Sequence, residues 1–199
     1  MKDYYEDLWE RLPPHLASPE LDRRRRFLLS QLRSGDRVLD LGCGEGTFAA
    51  IAARAGAGSV LGADVAEAAL VRARRAHPDL RFERVDIAGP LAFADNQFDL
   101  VWASEVIEHV ADTATWLSEV RRVLVPGGRL AITTPAHGRL RLLLGGVERY
   151  SAPLGDHLHL YTRRSLRELL MDFGFQETVV RTEAGPPLLR RLLLGRGQR

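Results

Sequence analysis

Apolar residues fall in short blocks separated by longer amphipathic stretches, and the two spacings alternate along most of the chain. Short blocks bounded by turn residues suit buried strands, and apolar positions three and four apart suit helices. Strands are therefore predicted at Arg37–Leu41, Ser59–Ala63, Arg81–Val85, Phe98–Ala103 and Arg129–Thr133. Helices are predicted between them at Thr47–Ala55, Ala66–Ala76 and Thr113–Leu124. Gly56–Gly58 and Pro126-Gly127-Gly128 are punctuation. Upstream, Ser18-Pro19 supplies an N-cap and a first-turn proline for a helix from Glu20 to about Leu32. Downstream, residues 135–160 mix Pro, Gly and His with leucine and suit no regular element. Thr162 caps a helix ending at Gly174, and a strand at Phe175–Arg181 follows. The leucine- and arginine-rich segment Leu188–Gly195 has the pattern of an amphipathic helix.

Alternating strands and helices imply an α/β, doubly wound, mostly parallel sheet with helices on both faces. Such sheets bind ligands at the carboxyl ends of their strands. Residues 1–34 are expected to form an N-terminal helical cover, and residues 35–199 the ligand-binding domain.

Composition narrows the partners. At 199 residues, with 45% hydrophobic and 27% charged, the chain suits one soluble domain with a full core. No run nears the roughly eighteen apolar residues that cross a bilayer. The acidic start lacks a signal-peptide core, so a cytoplasmic location is expected. One cysteine, Cys43, excludes an internal disulfide and a cysteine zinc site. A net charge of +2 argues against nucleic acid. The arginine run at 23–26 suits a solvated helix face.

Chemistry concentrates in Val38-Leu39-Asp40-Leu41-Gly42-Cys43-Gly44-Glu45-Gly46-Thr47-Phe48. Three glycines at alternate positions join a strand to a helix, where the backbone must turn sharply and admit a ligand closely. The spacing is not G-x-G-x-x-G, and Asp40 stands two residues before the first glycine. A carboxylate there disfavours a pyrophosphate and suits a cationic ligand, which argues against a nicotinamide dehydrogenase. Further acids close the next strands: Asp64 after the second, Asp86 after the third and Glu105 after the fourth.

The motif Asp40-x-Gly42-x-Gly44-x-Gly46 resembles the signature of the class I S-adenosylmethionine (SAM) methyltransferases. Phe98-Asp99-Leu100-Val101 and Leu124-Val125-Pro126-Gly127-Gly128-Arg129-Leu130 resemble that family's fourth strand and its turn into the fifth. The segments His157–Thr162 and Met171–Phe175 are similar to small-molecule methyltransferases of the ubiquinone-biosynthesis and sugar-modifying type. The resemblance implies a Rossmann-like fold and SAM as cofactor, held by Asp40, Gly42, Gly44, Gly46, Asp64, Asp86, Ile87 and Glu105. It also implies an N-terminal helix, with Tyr4, Tyr5 and Trp9, closing over the cofactor. With the last segment helical, the sheet is expected to lack the final antiparallel strand that the family resemblance implies, leaving an edge open to dimerisation or to cover by the tail.

Methyl transfer from a sulfonium is an in-line displacement that needs proximity above all. A base is needed only for a hydroxyl or a protonated amine. His109 and His157 are the candidate catalytic residues, with His159 beside them, and oxygen of a small molecule is the expected acceptor. No metal is expected. An alternative places Glu105, Glu108 and His109 on one face of a helical turn around a divalent cation, with His157 or His159 completing the set. That arrangement resembles metal-dependent 2′-O-methyltransferases of RNA 3′ ends. A non-catalytic SAM-binding protein is a third reading.

Overall fold

The computed structural model describes residues 2–13, 20–86, 89–138, 143, 157–186 and 190–199. Helix α1 (Lys2–Arg11) and helix α2 (Leu21–Gln31) precede β1 (Arg37–Leu41), α3 (Thr47–Arg54), β2 (Ser59–Asp64), α4 (Glu67–Ala76) and β3 (Arg81–Arg84). Then come β4 (Phe98–Ser104), a 3-10 turn (Ile107–His109), α5 (Thr113–Val123) and β5 (Leu124–Pro135). Helix α6 (Arg163–Asp172), β6 (Gln176–Glu183) and β7 (Leu192–Gln198) end the described chain. The described strands form one sheet in the order β3-β2-β1-β4-β5-β7-β6. Strands β1 to β5 are parallel, and β7 runs antiparallel to both β5 and β6.

The period-two pattern of the strands is visible in the core. Val38, Leu100, Trp102 and Ala131 pack toward α2, α3 and α4 with Leu28, Ala49 and Leu70. Leu39, Val101, Ala103, Leu130 and Ile132 pack on the opposite face with Trp116 and Leu117 of α5 and Leu166 of α6. Alternate side chains of one strand thus seal two hydrophobic layers, as a sheet covered on both faces demands.

The C-terminal expectation is corrected. Leu192–Gln198 is a strand, so the last antiparallel strand is present, and β7 lies between β5 and β6 where no strand was expected. The argument for dimerisation through an edge left open by its absence loses its basis. The leucines favoured a helix on propensity, but the strand packs closely at Gly197 against Phe175, while Gly195 lies at ordinary contact distance from α6. A Cβ on Gly197 would stand 2.7 Å from Phe175 Cβ, and one on Gly195 3.4 Å from Leu166. Tertiary packing overrode local preference. The Ser18-Pro19 cap lies outside the described residues.

Two local devices set the frame. Arg129 donates both to the Asp36 carboxylate, at 2.7 Å, and to the Gln31 carbonyl, at 2.5 Å, tying the end of α2 to β5. Thr162 and Ser165 form a reciprocal capping box at the start of α6. Thr162→Ala is expected to cost about 1 kcal/mol, measured by urea unfolding. An unchanged midpoint would show that α6 does not depend on its cap.

Candidate functional site

The glycine turn leaves the carboxyl end of β1 and is pinned there by backbone bonds. Gly42 N–H donates to Ala63 O at 2.7 Å, and Cys43 N–H to the same oxygen at 3.0 Å. Gly42, Gly44 and Gly46 all have positive φ, at 79°, 52° and 79°. Each is also crowded: a Cβ would stand 2.3 Å from Val106 Cγ2 at Gly42, 2.9 Å from Trp9 at Gly44 and 2.7 Å from Phe82 at Gly46. Cys43 is buried, and burial raises its thiol pKa, which suits a filler of the turn and not a nucleophile.

A cavity of about 260 Å³ opens beside this turn, bounded by Gly42, Gly44, Asp64, Glu105, Val106 and His109. Tyr5, Leu8, Trp9 and Leu12 of the α1 region wall its other side. A larger hollow of about 360 Å³ lies between α2 and β6–β7, lined by Arg23, Arg26, Arg181 and Arg196, away from the glycine turn.

Helix α1 is fastened by polar bonds. The Glu6 carboxylate accepts from the backbone N–H groups of Glu67 and Ala68, at 2.8 and 2.9 Å, and so caps α4, whose own N-cap Ala66 has no side chain to do it. Arg72 donates to the carbonyls of Trp9 and Leu12 and pairs with Glu45.

The four strand-end acids sit in different surroundings. Asp64 is buried, with its two oxygens accepting from Gly44 N–H at 2.8 Å and Ala66 N–H at 3.0 Å. Asp40 lies 2% exposed below the turn, and its Oδ2 has no hydrogen-bond partner. Burial pushes its pKa up to about 7, against a backbone N–H of Ala49 that lowers it, and Asp64 raises it further. Glu105 holds a left-handed φ of 58° at the end of β4. Such strain in a non-glycine residue concentrates at binding sites. Asp86 is exposed and is not among the cavity's lining residues, and Ile87 lies outside the described residues.

Glu105 and Glu108 do not share a helical face, which corrects the expected i, i+3, i+4 arrangement. Glu105 precedes the 3-10 turn and accepts from Thr133 Oγ1 at 3.0 Å, and Thr133 in turn shares a hydrogen bond with Ser104. Arg24 donates to Ser104 at 3.1 Å. Arg24 is buried, so the arginine run is not wholly a solvated face. Its charge faces Glu105 and Glu108 and offsets the burial that raises both carboxyl pKa values. Glu108 is fully buried and accepts from Thr134 Oγ1 at 2.9 Å.

The histidines converge next to this network. His109 and His157 rings stand 5.0 Å apart, and His137 lies 5.7 Å beyond His157. The segment carrying His157 is anchored by Leu158 N–H and His159 N–H, both donating to Glu108 O. His159 instead pairs its Nε2 with Val110 O at 2.9 Å. Sequence reasoning missed Arg24, Glu6, Arg72 and His137. Only spacing across folded elements brings them in, and no local motif marks them.

The residues fit a cationic adenosyl amino acid on grounds present in the fold. Gly42 and Gly44 border the cavity, where a Cβ would press on Val106 or Trp9 of its wall, and a buried carboxylate oxygen of nearby Asp40 lacks a hydrogen bond. Comparisons with known proteins agree. A family profile described as a methyltransferase domain matches residues 9–180. An ubiquinone biosynthesis O-methyltransferase of Ruegeria pomeroyi is 43% identical over 153 residues, covering 72% of this chain and 61% of the relative. A 27-O-demethylrifamycin SV methyltransferase of Amycolatopsis mediterranei is 42% identical over 107 residues, covering 51% and 39%. An S-adenosylmethionine dependent methyltransferase structure from Mesorhizobium loti superposes with a TM-score of 0.72 at 25% identity, covering 92% of this chain and 99% of that one. The chain spans 37% to 61% of the length of the curated relatives it matches.

Proposed function

The chain belongs to the class I SAM-dependent methyltransferases, and from that premise we propose that it transfers a methyl group from SAM to an oxygen of a small molecule. One observation carries the reading. Gly42, Gly44, Asp64 and Glu105 line a single cavity above the buried Asp40 carboxylate. When bound, SAM supplies an electrophilic methyl on a positively charged sulfur. Asp40, Asp64 and Glu105 supply negative charge to a site that must stabilise a cation. Gly42 and Gly44 would let the backbone approach the cofactor, and the family resemblance is what proposes Asp86 as a further contact. Tyr5, Leu8 and Trp9 exclude water from above. On the acceptor side, His109 borders the cavity and would orient an acceptor hydroxyl and receive its proton, with His157 proposed to support it from 5.0 Å behind. Two relatives carry O-methyl transfer or a demethylated oxygen position in their names, which supports oxygen as the acceptor atom.

Trp9 in the cavity wall provides the test. SAM is expected to quench tryptophan fluorescence and NAD to leave it unchanged. With a panel of small phenolic and sugar acceptors, S-adenosylhomocysteine is expected to accumulate. Quenching by NAD alone would sink the assignment, and cofactor binding without turnover on any acceptor would favour a non-catalytic SAM-binding protein. Trp9→Ala is expected to weaken SAM about tenfold, because the aromatic wall supplies about 1–2 kcal/mol of apolar burial. Calorimetry reads this without the fluorophore. Equal affinity would remove α1 from the cofactor site.

A further inference from the structure

We propose that Glu108, His109 and His157 form a binding site for one divalent transition-metal ion beside the cofactor cavity. The inference rests on the methyl-transfer reading above, and in the ion-loaded chain the two histidines act as ligands in place of the base role given to them there.

The donor atoms converge. One carboxylate oxygen of Glu108 and one ring nitrogen each of His109 and His157 lie within 4.8 Å of one another. His109 Nε2 and Glu108 Oε1 are 3.9 Å apart. Around a tetrahedral ion with bonds of about 2.1 Å, ligand atoms stand roughly 3.4 Å apart, so small side-chain rotations would close the set.

A second observation points independently to a ligand. Glu108 is fully buried, its Oε2 accepts from Thr134, and its Oε1 has no hydrogen-bond partner. An orphaned carboxylate oxygen in the interior is destabilising, and a cation would satisfy it. The surrounding chain holds the donors in place. Glu108 O accepts from both Leu158 and His159 N–H, which brings His157 against His109. His137 stands edge-on behind His157, where it limits the orientations of that ring.

The geometry also selects the ligands and the ion. Glu105 is not among the converging donors, and its carboxylate accepts from Thr133. His159 is not among them either, and its Nε2 pairs with Val110 O. Two imidazoles and one carboxylate suit zinc, cobalt, manganese or iron better than magnesium or calcium, which prefer oxygen. Three protein ligands leave a coordination position open. Because His109 also lines the cofactor cavity, that position adjoins the acceptor side. The acceptor class it favours is a hydroxyl with a second oxygen on the neighbouring carbon, which can chelate the ion.

The test uses the whole purified chain after chelator treatment, titrated with Co²⁺ and followed by visible absorption and calorimetry. One ion per chain is expected. Glu108→Gln and His157→Gln are each expected to weaken it by about tenfold or more, with fluorescence quenching by SAM retained within about twofold as the measure of an intact fold. His109→Gln serves as a further variant should Glu108→Gln fail to fold. Binding well below one ion per chain overturns the proposal, and so does equal binding by wild type and folded variants, which would indicate an adventitious ion only. A chain that binds SAM yet takes no ion overturns the cation and leaves the methyl-transfer reading standing. Failure of SAM quenching in the wild type overturns that reading separately.

Discussion

Gly42→Ala is expected to abolish SAM binding and to cost the fold about 2–4 kcal/mol, the sum of backbone strain and overpacking. Gly42 sits at φ 79°, where an L side chain is disfavoured, and a Cβ there would lie 2.3 Å from Val106 Cγ2. Neither neighbour can give way cheaply. Gly42 N–H is held by Ala63 O, and Val106 is buried in the core that supports the 3-10 turn. Any shift that relieves the clash therefore moves the turn or the segment carrying Glu105. Gly35→Ala provides the control, because Gly35 has a similar φ of 84° with nothing within 4 Å of its Cβ position. It is expected to cost about 1 kcal/mol of backbone strain and to leave SAM affinity unchanged. Calorimetric titration and urea unfolding of both variants measure the contrast. If Gly42→Ala binds SAM within threefold of wild type, the glycine turn is not the cofactor bed.

The second large effect has opposite signs for binding and for stability. Asp40→Asn is expected to weaken SAM about 100-fold, or about 2.7 kcal/mol, and to raise the melting temperature at pH 8. The Asp40 carboxyl has a folded-state pKa of about 7, well above its ordinary 3.8, chiefly through burial. The native state therefore keeps a proton that the unfolded chain releases. The stability this gives is fully present below about pH 4 and is lost as pH rises through 7. At about 1.36 kcal/mol per unit, the loss reaches up to about 4 kcal/mol above pH 7. Asparagine has no such slope. A bound cation favours the ionised carboxylate, so wild-type SAM affinity should fall as pH drops below 7, with proton release on binding. Melting curves and titrations between pH 5 and pH 9 read both effects. A pH-independent affinity, or an Asn variant that binds as tightly as wild type, would remove Asp40 from the cofactor's charge balance.

These two residues also show how far one strand and its turn explain the site. A buried carboxylate without a full set of hydrogen bonds costs stability wherever it is ionised. Its retention under a glycine bed is understandable when the ligand is a cation. Arg24 carries the complementary charge one layer away, facing Glu105 and Glu108, and its bond to Ser104 links α2 to the end of β4. The Arg129–Asp36 pair fixes the far end of α2 and so the reach of Arg24.

The chain order of strands and helices was legible because each strand is a short apolar block and each connecting helix has a longer period. The glycine turn was legible for a related reason: backbone conformation and close approach demand glycine itself, at positions a few residues apart. Asp40, Asp64 and Glu105 could be placed at strand ends by counting. Local pattern determined all of this, because it depends on neighbours in sequence.

Three features depended on neighbours in space. Strand β7 looked helical until the gap between β5 and β6 claimed it, and Gly197 makes sense only against Phe175. Glu105 left the expected helical face because its backbone turns left-handed at the end of β4, which separates it from Glu108. Arg24, His137 and the pairing of His109 with His157 come from elements far apart in the chain. The sequence by itself determined a parallel α/β sheet and a cofactor turn, since periodicity and glycine are local signals. Only the tertiary structure decided which buried charges face one another, because electrostatic pairing and close packing act across the folded sheet and leave no spacing in the chain to read.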